Sequence, residues 1–367
     1  MKKFISLIWA VCMTLPVSAQ VRGKVDIPNL KGYVTLKCDF HMHTVFSDGR
    51  VWPTTKVEEA YRDGLDVISI TDHIGKLKDV YDNNISRNVA YDIALPAAKA
   101  AGIILIKGGE ISHQMPPGHH NAIFLDDLNE LYKPGADQFR AAKAQDAFIF
   151  WNHPGWERHQ PDTTLWWDEH TQLLQQGMMH GIEVVNDQDY FAEAHRWCLE
   201  KNLTMFGNSD EHDPMSPFPP GKHRVMTLVF ARSATPEAIR EALNERRTAV
   251  YYEEFVIGEE KYLKELLENA LEWKTDKIED GVLVTVTNKS DLMFRLRKAD
   301  SDPRLIYFRS SSIKPHIIPP KGEHSFTVRM RGGIKSGDVN FVVENFLVQP
   351  NEGMRYAITI TNYEPTN

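Results

Sequence analysis

The sequence predicts an α/β chain in two parts: a distorted seven-stranded (β/α) barrel of TIM-like type over residues 30–250, then an all-β sandwich of immunoglobulin-like type over 276–367. Three observations carry that prediction. Short apolar, β-branched runs alternate with helical stretches from Val34 to about Arg247, the pattern of a parallel sheet buried on both faces. His, Asp and Glu recur at the C-terminal ends of those runs, where a closed barrel gathers its loops into one mouth. Beyond Lys277 the period falls to two and such residues stop clustering.

The chain opens with Met1-Lys2-Lys3, an apolar run from Phe4 to Leu15, and Val17-Ser18-Ala19, which together read as an export signal over 1–19. The run is shorter than the ~20 residues a membrane span needs. The expectation is therefore an exported protein, periplasmic or extracellular, with no transmembrane segment once the signal is cut. A composition of 42% hydrophobic and 25% charged residues is that of a globular protein. A net charge of −8, with no Lys/Arg-rich face, argues against a nucleic-acid groove. Cleavage would remove Cys12 and leave Cys38 in a core strand and Cys198 in an apolar helix pattern, so two buried free thiols are expected.

Taken in order, Val34-Thr35-Leu36 leads into Cys38-Asp39-Phe40-His41-Met42-His43. Residues two apart on a strand share a face, so His41 and His43 offer paired imidazoles to a divalent transition metal. After a helix at Thr55–Asp63, Val67-Ile68-Ser69-Ile70 ends in Thr71-Asp72-His73. After another at Val89–Ala101, Ile103 to Ile106 ends in Lys107-Gly108-Gly109-Glu110. The run from Gly118 to Leu125 differs, because His119 and His120 stand at its beginning. Only one of them can face the mouth, and periodicity leaves the choice open. A helix at Gln138–Ala144 precedes Ala147 to Phe150, which runs into Trp151-Asn152-His153-Pro154-Gly155. Gly181 to Val185 carries Glu183 and ends in Asn186-Asp187. A helix at Phe191–Lys201 then precedes Thr204 to Gly207 and Asn208-Ser209-Asp210-Glu211-His212. Ligand-type residues at five or more strand ends favour a ring over an open sheet, which would concentrate them at one crevice.

These motifs, in this order, resemble the PHP (polymerase and histidinol phosphatase) family. The pieces that match are His41-Met42-His43 with Ser47-Asp48-Gly49, Thr71-Asp72-His73, Gly109-Glu110, His119 before an apolar strand, Asn152-His153-Pro154 and Ser209-Asp210-Glu211-His212. The similarity spans roughly residues 30–250. It implies a distorted seven-stranded barrel, up to three divalent ions (Zn, Mn or Fe) and phosphomonoesterase or phosphodiesterase activity. One metal would be held by His41, His43, Glu110 and Asp210. Glu110 would bridge to a second held by His119 and His153, and a third would lie with Asp48, His73 and His212. Some members have His where Asp48 stands. The family's spacing places its histidine at His119 rather than His120.

Around this set, Asp39 and Asp72 are expected to accept from imidazole N–H groups, Asp72 alternatively serving as a proton donor. Glu183 reads either as a similar acceptor or as a buried pair partner. Glu211, Asp213, His159, His170 and His180 read as solvated or loop residues. Arg158, Lys222 and Arg224 lie just past ligand motifs in loops that could fold over the mouth, where an Arg fork matches a phosphate. Of Trp151, Trp156, Trp166 and Trp167, at least half are expected to be buried packing. Polynuclear cations suit phosphoryl transfer, because they share a hydroxide nucleophile and neutralise the non-bridging oxygens. The reaction expected is hydrolysis of a small phosphorylated substrate by a metal-bridging hydroxide, with no phosphoenzyme. Asp72, Arg158 and Arg224 are its candidate catalytic residues. Two rivals are metal-dependent C–N hydrolysis, which usually uses a carbamylated lysine or a single bridging residue mid-barrel, and a non-catalytic metal-binding scaffold.

Ala234 to Arg247 reads as a helix with Thr235 as N-cap and Pro236 in the first turn. A second amphipathic helix, Glu259 to Trp273, forms most of a connector over 251–275. Alternating runs at Val282–Thr287, Met293–Arg297, Ser325–Met330, Val339–Leu347 and Tyr356–Thr361 then suggest a sandwich serving as a structural or docking module.

Overall fold

The computed structural model describes residues 21–75, 85–279, 281–299, 305–308, 314–330 and 336–361. The expected export signal lies outside them. The ring begins with β1 (Val34–Asp39), helix α1 (Pro53–Arg62), β2 (Val67–Ile70), α2 (Val89–Ala101) and β3 (Ile104–Ser112). It continues through β4 (His119–Ile123), α3 (Asn129–Tyr132), α4 (Gln138–Ala144), β5 (Phe148–Trp151), α5 (Asp168–Gln175) and β6 (Gly181–Asn186). A two-residue β7 (Asp189–Tyr190), α6 (Ala192–Lys201) and β8 (Thr204–Asn208) complete it. The helices expected at 89–101 and 138–144 fall on α2 and α4.

β1 pairs parallel with β2, β2 with β3, β5 with β6 and β6 with β8. β4 runs antiparallel to both β3 and β5. The seventh seam lies between the continuations of β1 and β8. There Met42 bridges Glu211 in parallel, His43 N donates to Glu211 O at 3.0 Å, and Asp210 N donates to His41 O at 2.9 Å. The ring thus closes at its mouth. Lower down, β1 gives that edge to β9 (Met226–Ala231) in an antiparallel ladder. The Thr227 hydroxyl fills the gap between β9 and β8, accepting from Gly207 N and donating to Gly207 O, both at 2.9 Å.

Leu36, Cys38, Phe40, Val67, Ile106, Phe150, Phe206 and Val229 fill the barrel interior. α7 (Pro236–Asn244) plugs the base with Ile239, Ala242 and Leu243. Its N-cap is Thr235, whose hydroxyl accepts from Ala238 N at 3.3 Å. Cys38 and Cys198 are buried free thiols.

The stretch read as a helical connector opens differently. β10 (Thr248–Tyr252) and β11 (Phe255–Gly258) extend the barrel's own sheet before α8 (Glu260–Ala270) begins. α8 stops at Ala270, not Trp273, because Leu271 already pairs with Asn288. The remaining strands are β12 (Leu271–Ile278), β13 (Gly281–Asn288), β14 (Phe294–Lys298), β15 (Leu305–Phe308), β16 (His316–Ile318), β17 (Glu323–Met330), β18 (Ser336–Gln349) and β19 (Glu352–Thr361). One sheet has the order β12-β13-β17-β15. The other, β16-β14-β18 with β19, is continuous with the barrel through parallel pairing of β18 and β11. A single buried cluster links Val57 and Ala94 of the barrel helices, Leu263 and Leu266 of α8, and Val284 and Phe341 of the sandwich.

Candidate metal centre

The ring brings all nine expected ligand residues to one mouth. β1 runs straight into His41 and His43, both buried. His41 Nδ1 lies 2.8 Å from Glu183 Oε1 on β6, which resolves Glu183 as the carboxylate that orients this imidazole. Glu183 also accepts from His153 N at 2.7 Å and from the side-chain amides of Asn186 and Asn208 at 2.8 and 2.9 Å. His43 Nδ1 sits 3.3 Å from Ser47 Oγ, and Ser47 in turn donates to Asp72 at 2.5 Å. With both Nδ1 atoms so engaged, the two Nε2 atoms face each other's neighbourhood, 3.1 Å apart.

Asp210 Oδ1 completes a triangle, 3.1 Å from His41 Nε2 and 3.1 Å from His43 Nε2. This oxygen is buried and has no hydrogen-bond partner among the described residues. A buried, unpaired carboxylate oxygen is costly. A cation at the centre would satisfy all three atoms. Ligands ~2.1 Å from a shared ion stand about 3.0–3.4 Å apart, which the triangle matches. The donor set fits a divalent transition metal.

Glu110 on β3 is buried at the centre of the cluster and is held by Asn152 Nδ2 at 2.8 Å. Its oxygens lie 3.6 Å from His41, 3.8 Å from His43, 3.0 Å from His119 and 3.7 Å from His153, and it pairs closely with His73. A third set forms at the open side: Asp48 stands 3.1 Å from His73 Nε2 and 3.2 Å from His212 Nε2. His212 Nδ1 donates to Asp210 O at 2.7 Å, leaving Nε2 free. Potential ligand atoms gather within 4.8 Å in three groups: His43, Asp48, His73 and His212; His41, His43 and Glu110; and His73, Glu110 and His119. His153 Nε2 approaches the first carboxylate pair from the far side, 3.9 Å from Asp210.

Charge follows geometry. Burial would depress His41, yet Asp210, Glu183 and Glu110 outweigh it and raise the imidazole to about 10. His73 likewise reaches about 10 against its burial, through Glu110 and Asp48. Burial would raise Glu110, Asp48 and Asp210, but the surrounding imidazoles hold all three below the usual carboxylate range. His43 alone is pushed down, by burial. Such a pocket retains positive charge, and divalent cations would compete for it with protons.

The antiparallel course of β4 settles the choice between its two histidines. His119 faces the cluster, whereas His120 is buried on the opposite face between Phe139, Trp151 and His170. Because β4 runs downward, its first residue, not its last, lies at the mouth.

Several expectations need correction. Arg224 does not reach over the mouth: it is 3% exposed, and its guanidinium is held by Asp39 at 3.0 Å and Asp63 at 3.1 Å. Asp39 accepts from the amides of His41 and Ser209, not from an imidazole. Asp72 accepts from Thr44 N, Thr44 Oγ1 and Ser47 Oγ, the pattern of an anchored carboxylate and not of a proton donor facing substrate. Arg158 is exposed at the rim, 5.5 Å above the Trp156 ring, and that ring lies 5.1 Å from His153. His159, read as a solvated residue, stacks edge-on 4.8 Å from His119. His170 is fully buried against Trp151, with ring centroids 3.8 Å apart. Trp151 is buried and Trp167 is 39% exposed, so the tryptophans do divide between packing and surface.

A seven-stranded α/β barrel whose mouth gathers histidines and carboxylates around an unpaired carboxylate oxygen defines a barrel protein with a candidate metal centre. A structure from Bacteroides vulgatus, described as a two-domain protein containing a predicted PHP-like metal-dependent phosphoesterase, matches with a TM-score of 0.89 at 48% identity, covering 94% of this chain and 100% of that one. The chain belongs to that family of two-domain PHP-like proteins. A family model described as an Ig-like domain matches residues 271–359, agreeing with the sandwich. A structure from Bifidobacterium adolescentis, described as a candidate metal-dependent phosphoesterase, shares 18% identity with a TM-score of 0.42, over 57% of this chain and 96% of that one. A 5'-3' exoribonuclease of Haemophilus influenzae is 38% identical over 79 residues, 22% of this chain. The chain spans about a quarter of the length of that curated relative, 24%.

Proposed function

We propose that the protein hydrolyses a phosphate mono- or diester of a small molecule, using two or three divalent cations (Zn, Mn or Fe). His41, His43, Glu110 and Asp210 would hold one ion, Glu110, His119 and His153 a second, and Asp48, His73 and His212 a third. The observation that carries the reading is the 3.1 Å triangle of His41, His43 and the partnerless Asp210 oxygen. Bound divalent cations supply a hydroxide at neutral pH and neutralise charge on the phosphoryl oxygens.

The chain's own residues supply orientation and access. Glu183 and Ser47 fix the tautomers of His41 and His43, presenting Nε2 in each case. His41, His43 and Glu110 lie under cover, while Asp48 and His212 keep 49% and 37% of their side chains exposed, so an ester would approach over that side. Arg158, at the rim and without an ion-pair partner among the described residues, would meet the substrate's anionic group as it enters. The C–N hydrolase rival fares worse. Lys107, the one lysine near the bridging place in sequence, donates to Asp126 O at 2.8 Å and lies over Tyr91, away from the cluster. The basic start, apolar run and small-residue site of residues 1–19 support export to the periplasm or beyond.

The test is hydrolysis of para-nitrophenyl phosphate and of the bis-ester with manganese or zinc, by wild type and His41→Ala. Wild type should turn over at least one ester and the variant should lose about a hundredfold or more. Activity on neither, with metal fully bound, would hand the site to C–N hydrolysis or to a scaffold role.

A further inference from the structure

We propose that Arg224 is a positioning residue for the metal centre, acting through Asp39 and a buried charged stripe on α1. This rests on the metal reading above and assigns Arg224 a task at the back of the site. The two segments that carry His41 and Asp210 lie side by side, and a single carboxylate clamps them. Asp39 Oδ1 accepts from His41 N and from Ser209 N, each at 3.2 Å. Asp39 Oδ2 accepts from Ser209 Oγ at 2.6 Å and from Arg224 Nη1 at 3.0 Å. The amide of one ligand and the amide preceding the other therefore share one acceptor, and the guanidinium sets where that acceptor sits.

Arg224 is itself anchored to Asp63, the C-cap of α1, with Nε 3.1 Å and Nη2 3.0 Å from its Oδ2. The same helix face carries Lys56 and Glu59, 1% and 4% exposed. Lys56 donates to Asp213 O at 3.1 Å, and Glu59 accepts from Met215 N at 2.8 Å. Positions 56, 59 and 63 fall on one side of a helix. That side grips the chain just past His212, at Asp213 and Met215. Removing Arg224 would leave Asp39 buried without its counter-charge, and the carboxylate would shift. That changes the spacing of His41 and Asp210, which stand 3.1 Å apart.

A purely structural role would lower stability without touching the metal. Arg247 provides the control: it is 5% exposed at the closed end of the barrel, donating to Phe230 O at 3.1 Å and pairing with Glu241. Cobalt(II) is titrated into chelator-stripped wild type, Arg224→Met, Arg224→Lys, Ser209→Ala and Arg247→Met, reading affinity, visible absorption and thermal midpoint. Arg224→Met should bind about 10–100-fold more weakly with an altered visible spectrum, and Arg224→Lys should recover part of both. Ser209→Ala should shift the spectrum with a near-native midpoint, whereas Arg247→Met should lose midpoint and keep affinity and spectrum. Folded Arg224→Met and Ser209→Ala proteins with wild-type affinity and spectrum would overturn the proposal. If Arg224→Met does not fold, Ser209→Ala decides it alone. Wild type that takes up no cobalt would overturn the metal reading first, and this proposal with it.

Discussion

Single residues divide the work of this site more sharply than their types suggest. His119 and His120 are adjacent, yet one faces Glu110 and the other an aromatic wall. His119→Ala should therefore abolish one equivalent of bound metal and leave the thermal midpoint close to wild type. His120→Ala should keep its metal but lose about 2–4 kcal/mol of stability by chemical denaturation, as buried truncations do. Glu183→Gln keeps the shape but removes the charge facing His41. Metal affinity measured by calorimetry should fall about 10–100-fold, and an unchanged affinity would deny Glu183 its orienting role. The ligand types were legible in the sequence because strand ends carrying His, Asp and Glu stand out. The bracing groups were not. Lys56, Glu59 and Asp63 at helical spacing look like any solvated face, and nothing local announces that a loop more than a hundred residues away will cover them. Arg224 was misread for the same reason: adjacency in sequence to a ligand motif says nothing about which side of the chain its guanidinium takes.

At the scale of elements, most helices, though not α3 or α5, and the strands that end in chemistry were the ones the pattern revealed. β9 and β10 escaped notice, since they are buried apolar strands with no ligand-type residues at their ends. The reversed direction of β4 was hinted at only by histidines that precede their apolar run. Gly49 marks another element-level constraint. A Cβ there would come within 2.7 Å of the His43 and Thr44 backbone, so Gly49→Val should displace Asp48 and weaken the outermost cation set. In the sandwich, His316 on β16 meets His324 on β17 at 2.8 Å, joining the two sheets. Burial, helped by His324, pushes His316 down to about 4. Its neutral form is thus favoured by folding. The stability it supports is complete above about pH 6.5, the unfolded value, and is lost as pH falls toward 4. The urea midpoint of wild type should drop through that window, and His316→Phe should flatten the drop. Equal slopes for the two proteins would refute this linkage.

Over the whole molecule, the sandwich is not a bead on a linker. β18 continues the sheet of β11, Asp26 N donates to Asp291 at 2.7 Å, and α8 is buried between the two parts. Ending the chain after Gly258 would bare the β11 edge and an apolar barrel flank. Residues 21–258 alone should therefore aggregate or unfold, as gel filtration and circular dichroism would show. A soluble, metal-binding fragment would contradict that. The ring itself has one weak seam. Between β1 and β8 it is zipped at the mouth by two backbone hydrogen bonds, from His43 N and Asp210 N. Residues proposed to share a cation stand on both sides of that line, so a bound ion would double as a rivet. Stripping it with a chelator should remove the link between His41 and His43 on one lip and Asp210 on the other. Deuterium uptake at the amides of His43 and Asp210 should then quicken while the base plugged by α7 stays slow. On that view metal binding and barrel closure would draw on one atom, and the protein's resting shape would report its metal load.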